Sequence, residues 1–242
     1  MANYKLLVEY DGTAYHGWQR QVKLRTVQGE IEKALFLLLK EEKTLHSAGR
    51  TDSGVHARGQ VANFSSDKPL NCDKLCASLN AVTSHDLTIK TVSQAPDNFH
   101  ARFSAKAREY AYFISPEPLS IGRDYALVCK YFLDFSLLNK AAALVVGEHV
   151  FRAFSKDIPT EKHYMCRIEF AHWTKENHLL AFRIKANRFL HSMVRLLVGT
   201  MLNVGRRKIS MDEFSSMLYS QEKSRSVYKA PAKGLFLEKV YY

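Results

Sequence analysis

The chain has 242 residues, 46% of them hydrophobic, and 35 basic against 24 acidic side chains give a net charge of +11 and a pI near 9.4. That length and apolar content support one large or two small globular domains and argue against a chain too polar to fold. The basic surplus favours a polyanionic partner, because each neutralised phosphate releases condensed counterions.

The opening segment MANYKLLVEY has no long apolar run, so no signal peptide or membrane-spanning helix is predicted. Within it, Tyr4 to Tyr10 alternates apolar and polar residues as a strand does, and Asp11-Gly12 marks a turn. Thr26 can cap a helix carrying Val27, Ile31, Ala34, Leu35 and Leu38 on one face. Gln60 to Phe64 reads as a strand, Asn71 to Asn80 as a helix and Leu87 to Val92 as a strand. Cys72, Cys76 and Leu79 share a helical face. With Cys129 and Cys166 the four thiols show no zinc-type spacing, which predicts a reduced, cytoplasmic protein.

A second half begins near Ser104. Glu109 to Ile114 is strand-like, and Ser136 can cap a helix running to Val146. Arg167 to Trp173 and Leu179 to Lys185 predict a hairpin turning at Lys175-Glu176-Asn177. Asn187 to Val204 reads as a long helix, Ser210 and Glu213 as the capping box of a short one, and Leu235 to Tyr242 as a closing strand. The order is that of an α+β fold. We expect residues 1–104 to carry one half and 105–242 the other, sharing a sheet because no low-complexity linker divides them.

The chemistry concentrates in AGRTDSGVHARGQVANF, Ala48 to Phe64. One carboxylate, Asp52, stands there among small and turn-forming residues, with Arg50, His56 and Arg58 close by. Gly49, Gly54 and Gly59 allow tight turns and close approach to another molecule. A carboxylate is ionised at neutral pH and attacks an electrophilic carbon once desolvated and aimed; an adjacent cation such as Arg50 keeps it ionised. In REYAY, Tyr110 and Tyr112 share a strand face, and an aromatic ring can replace the stacking a flipped base loses. At 100° per residue, Leu190, Met193, Val194, Leu197 and Met201 form a buried stripe, with Arg188, His191 and Arg195 on the opposite side. The histidines lack metal-ligand spacing, and no phosphate loop or dinucleotide fingerprint is present, so no metal and no cofactor is expected.

These runs resemble the tRNA pseudouridine synthase A family over nearly the whole chain. VEYDGTAYHGWQRQ and TVQGEIEKAL resemble its opening, FHARFSAKAREY and GEHVFRAF its middle, FLHSMVRLLVGTM its arginine motif and APAKGLFLEKV its end. The resemblance implies two ferredoxin-like, RRM-like halves sharing a mainly antiparallel sheet, with the active-site cleft between them. It implies an isomerase that converts uridine to pseudouridine on the 3′ side of the tRNA anticodon stem-loop, acting as a homodimer. Asp52 would be the nucleophile, directed either at the sugar C1′ or at C6 of the base. Arg50 would sit near phosphate or help extrude the base, Tyr110 would stack on the uracil, and Arg195 would pair with Asp52. Arg20, Arg58, Arg102, Arg152, Lys156 and Arg188 are the candidates for phosphate contacts. The chain departs from the family at Ser226-Val227-Tyr228-Lys229, where Ala-Gly-x-Thr is usual. The alternative is a tRNA-binding protein or RNA chaperone without catalysis, which the intact Asp52, Arg50, Tyr110 and Arg195 set argues against.

Overall fold

The computed structural model describes residues 1–156, 163–220 and 227–242. Its first elements are β1 (Ala2–Tyr10), α1 (Val27–Leu39), β2 (His46–Ser47), β3 (His56–Ser66), α2 (Cys72–Val82) and β4 (Leu87–Ala95). Then come β5 (Ala107–Ser115), β6 (Leu127–Val128), α3 (Phe135–Leu144), β7 (Gly147–Val150), β8 (Met165–Glu176) and β9 (Leu179–Ala186), followed by α4 (Met193–Gly205), α5 (Met211–Ser220) and β10 (Leu235–Tyr241). The class is α+β, as the sequence predicts. Two compact units form, Met1–Lys106 with Phe236–Tyr242, and Ala107–Leu235. The closing strand, read from sequence as part of the second half, thus packs in the first unit.

In the first unit β3 is central. β1 runs antiparallel along one edge, with Tyr4 opposite Phe64 and Leu6 opposite Ala62, and β4 follows beyond β1. The other edge of β3 takes β2 antiparallel at Ala62–Asn63 and β10 parallel at His56–Ala57. Alternation in β1 sends Tyr4, Leu6, Val8 and Tyr10 into the core. α1 adds Val27, Ile31 and Leu35 at one-turn spacing, each completely buried and each stabilising by about 1.5–3 kcal/mol. Its N-terminus is fixed where the sequence placed it, the Thr26 hydroxyl accepting the Gly29 N–H at 3.3 Å. Asn71 caps α2 in the same way, through the Lys74 N–H at 2.9 Å.

The second unit is built on the β8–β9 hairpin, which turns at Asn177 in the left-handed region with φ 54°. β5 pairs antiparallel with β9, β7 antiparallel with β8, and the short β6 parallel with β5. α3 docks on β8 through Asn139, whose side-chain amide behaves as another strand would: it accepts the Trp173 N–H at 2.9 Å and donates to the Trp173 carbonyl at 3.2 Å. α4 is buried around most of its girth, with Val194, Leu197, Val198, Met201 and Leu202 all in the core, and α3 and α5 pack against it.

Two sequence expectations are corrected here. The cap of α3 is Asp134, not Ser136: its Oδ1 accepts the Leu137 N–H at 3.1 Å. The long helix begins at Met193, not Asn187. The Asn187 side chain accepts the N–H groups of Arg167 at 2.9 Å and Arg188 at 2.8 Å, and Ser192 sits in the left-handed region at φ 61°. Both hold 187–192 out of helical geometry, so Arg188 and His191 precede the helix and do not share a helical face with Arg195.

Candidate active site

Asp52 opens a tight turn, its carbonyl accepting the Val55 N–H at 3.2 Å and Gly54 adopting φ 76°. The segment between β1 and α1 grips this turn. Trp18 N–H donates to the Thr51 carbonyl at 3.2 Å, and the Tyr10 and Thr51 hydroxyls lie 2.8 Å apart. The Tyr15 carbonyl receives both the Gly54 N–H at 3.2 Å and the Ser53 hydroxyl at 3.3 Å. Gly17 has φ +87°, and a Cβ there would lie 2.7 Å from the Thr51 carbonyl oxygen, so only glycine lets the two loops touch. Asp52 itself is half-buried, and Arg50 is exposed. Burial pushes the Tyr10 phenol up to about 12, with bonds to Thr51 and Gln60 pulling the other way, so it stays a neutral hydroxyl beside Thr51.

The gripping segment is itself anchored by Arg25. Its guanidinium lies 4.2 Å over the Tyr15 ring and forks onto Asp86, with Nη1–Oδ2 at 2.8 Å and Nη2–Oδ1 at 2.7 Å. It also donates to Glu30 Oε2 at 3.1 Å and to the Tyr15 hydroxyl at 3.0 Å, while its main-chain carbonyl accepts the His16 N–H at 2.9 Å. Burial and the carboxylates of Glu30 and Asp86 drive the Tyr15 phenol far above its ordinary value, so it remains a donor to Glu30 at 3.0 Å. Sequence reasoning gave Tyr15, Trp18 and Arg25 no role. The Asp11-Gly12 turn and the VEYDGTAYHGWQRQ resemblance mark this segment, but partners as distant as Asp86 leave no local pattern.

His56, the first residue of β3, is buried with Nδ1 3.0 Å from the Gly12 N–H and 3.1 Å from Asp11 Oδ1, its ring stacked 4.6 Å from Phe236. Arg58 covers the Phe236 ring at 4.5 Å and pairs with Glu238 at 2.7 Å. Arg20 pairs with Glu32 at 3.1 Å, where the arginine side chain is 66% exposed and the glutamate 7%. Both arginines expected on phosphate are therefore also ion-pair partners within the fold.

The second unit holds the other candidates. Tyr110 is 8% exposed and meets Phe189 edge-on at 5.0 Å. Tyr112, on the same strand face, is completely buried and donates its hydroxyl to the Pro231 carbonyl at 2.8 Å; burial raises its pKa, and its place is in the core. Arg195 Nε donates to the Ala230 carbonyl at 2.8 Å, and the Ala230 N–H returns a bond to the Arg195 carbonyl at 3.0 Å. The departing stretch therefore runs straight into the segment that holds Arg195; Ser226 lies outside the described residues. Beside it is an open cavity of about 380 Å³ lined by Ser155, Lys156, Ser192, Leu196 and Lys229. Arg152 is exposed and faces the Tyr164 ring at 5.7 Å, and Arg188 is half-buried. Among the described residues, no group of three His, Cys, Asp or Glu side chains is placed to hold a metal ion, and no helix is long and apolar enough to cross a membrane.

A carboxylate held in a rigid turn beside an exposed arginine, on a strongly basic α+β chain, suits chemistry on a nucleic acid. Comparison with known proteins makes this specific. The family model described as tRNA pseudouridine synthase matches residues 6–104 and 141–242. The tRNA pseudouridine synthase A of Chlorobaculum tepidum is 43% identical over 239 residues, covering 98% of this chain and 97% of that protein. Those of Chlorobium phaeobacteroides and Acetivibrio thermocellus are 42% and 39% identical, covering 94% and 100% of those proteins and all of this chain. The chain belongs to the tRNA pseudouridine synthase family, and so to the isomerases that form pseudouridine in tRNA.

Proposed function

We propose that this protein isomerises uridines on the 3′ side of the tRNA anticodon stem-loop, with Asp52 as the carboxylate that attacks the target nucleotide. The N1–C1′ bond breaks and a C5–C1′ bond forms. The proton lost from C5 is balanced by one gained at N1, so the reaction is neither redox nor hydrolytic. What carries the reading is the clamped Asp52 turn: hydrogen bonds from Trp18 and to Tyr15, and the Tyr10–Thr51 contact, fix the backbone on both sides of the carboxylate. A nucleophile held this way loses little freedom on reaching the transition state.

Arg50, exposed two residues earlier, serves the phosphate beside the target or the space the flipped base leaves. Tyr110 offers its ring to the uracil, and Arg195 acts with Asp52. Arg152, Lys156 and Arg188 supply phosphate contacts, with Arg20 and Arg58 contributing through the exposed parts of their side chains. The protein works as a cytoplasmic homodimer, in which two basic surfaces engage one elongated polyanion.

The test is to map pseudouridine in unmodified tRNA transcripts after incubation with the protein, and to measure its mass by sedimentation. We expect modification confined to the 3′ side of the anticodon stem-loop and a dimer mass. Modification confined to another arm would overturn the substrate assignment, and an active monomer would overturn the dimer.

A further inference from the structure

One exposed aromatic group in the first unit has no part in the chemistry above. The segment 96–106 is anchored from three sides. Asn3 Nδ2 donates to the carbonyls of Pro96 at 3.0 Å and Phe99 at 2.7 Å, Asn63 Oδ1 accepts the Ala101 N–H at 2.9 Å, and the Tyr242 hydroxyl donates to the Ala101 carbonyl at 2.8 Å. Yet this rigid segment holds Phe103 77% exposed. The Phe103 ring ends an aromatic column: His46 lies 4.9 Å from His100, and His100 lies 4.5 Å from Phe103. The Arg102 guanidinium stands 5.6 Å from the Phe103 ring. Burial, with His46 and Arg102 nearby, lowers the His100 pKa, and its Nδ1 accepts the Arg102 N–H at 3.1 Å, so the column's centre is a neutral ring.

His46 belongs to β2, whose chain leads within a few residues to Arg50 and Asp52. The column and the Asp52 turn therefore belong to the same unit. An exposed ring on a fixed backbone, with a guanidinium 5.6 Å over it and a strongly basic chain behind it, has the composition of a base-stacking platform. Each base presents a π-face to such a ring, and the arginine answers the phosphate.

We propose that Phe103 is a stacking platform for an unpaired base of the tRNA, distinct from the uridine being isomerised, with Arg102 holding the adjoining phosphate. The proposal rests on tRNA being the substrate. It places an RNA contact at residues to which the sequence gave either no role, Phe103, or only a phosphate contact, Arg102.

The experiment compares wild type with Phe103→Ala, Phe103→Tyr and Phe103→Trp, at one fixed salt concentration. tRNA is set against a blunt, fully paired RNA duplex. We expect Phe103→Ala to weaken tRNA binding about tenfold, Phe103→Tyr to bind as wild type does, and duplex affinity to be unchanged. Both native tryptophans, Trp18 and Trp173, are buried, so fluorescence gained in Phe103→Trp reports the platform, and it should be quenched by tRNA. Unchanged tRNA affinity in Phe103→Ala would overturn the proposal, as would equal losses on tRNA and duplex. Loss of self-association in its place would assign the ring to a second copy of the chain. Pseudouridine formation by wild type in the same samples separates failure of this proposal from failure of the substrate reading.

Discussion

At the residue scale, the side chain that most rewards scrutiny is one that does no chemistry. Arg25 ties Tyr15, Glu30 and Asp86 together, and the Tyr15 carbonyl holds the Asp52 turn through Ser53 and Gly54. Replacing it by Gln leaves two carboxylates without their cation, which should cost about 1–3 kcal/mol, read as a thermal midpoint several degrees lower. Because the loss reaches the turn, kcat should fall more than KM rises. Arg25→Lys should not rescue it, since an ammonium cannot reproduce the fork. A KM change with kcat intact would show that Arg25 acts elsewhere. The same network sets a pH dependence. Burial opposes ionisation of Glu30, but bonds from Ser84 and Tyr15 and the charge of Arg25 prevail and lower its pKa below the ordinary 4.5. The stability this confers is complete above pH 4.5 and is lost as the pH falls through the lower folded value. The thermal midpoint should therefore change less with pH across that range in Arg25→Gln than in wild type.

At the scale of elements, the helix that carries Arg195 depends on a close approach. A Cβ at position 199 would come 2.0 Å from the Tyr228 carbonyl oxygen, so Gly199→Ala must push residues 228–230 off α4. The reciprocal bonds between Arg195 and Ala230 should break with it, exposing the Ala230 amide to faster hydrogen exchange and lowering activity. Unchanged exchange would mean that the segment is held by something else. The helices capped at Thr26 and Asn71 were legible because each signal is local: a capping side chain, then apolar residues at helical spacing. The start of α4 was not. Residues 190–201 satisfy the helical stripe whether or not 187–192 join it. What excludes them is an Asn187 side chain bonded to Arg167, twenty residues away, and one left-handed serine. Asp134 and Ser136 are both good caps two residues apart, and the sequence cannot rank them. The aspartate's carboxylate also meets Arg207 at 3.0 Å, a contact from the turn that follows α4.

For the whole molecule, the net charge of +11 implies binding that weakens steeply with salt. Replacing Arg152 and Lys156 by Gln should each reduce the slope of log affinity against log salt by about 0.7–0.9. Arg20→Gln should reduce the slope less and also lower stability, because it leaves the buried Glu32 carboxylate without its cation. A full slope change for Arg20 with no loss of stability would reverse that division. Asp52 and Arg195 belong to different units. If they act on one nucleotide, a double substitution should be no slower than Asp52→Asn alone, whereas multiplying effects would show that they act independently.

The central claim, that the Asp52 carboxylate performs the chemistry, is tested most directly by single-turnover pseudouridine formation on unmodified tRNA. Wild type is compared with Asp52→Asn, and tRNA affinity is measured in the same samples. The isosteric variant should bind tRNA within about twofold of wild type, while pseudouridine formation falls on the order of 10³-fold or more. A variant that binds and still forms pseudouridine at a wild-type rate would contradict the account, and the nucleophile would have to be another residue.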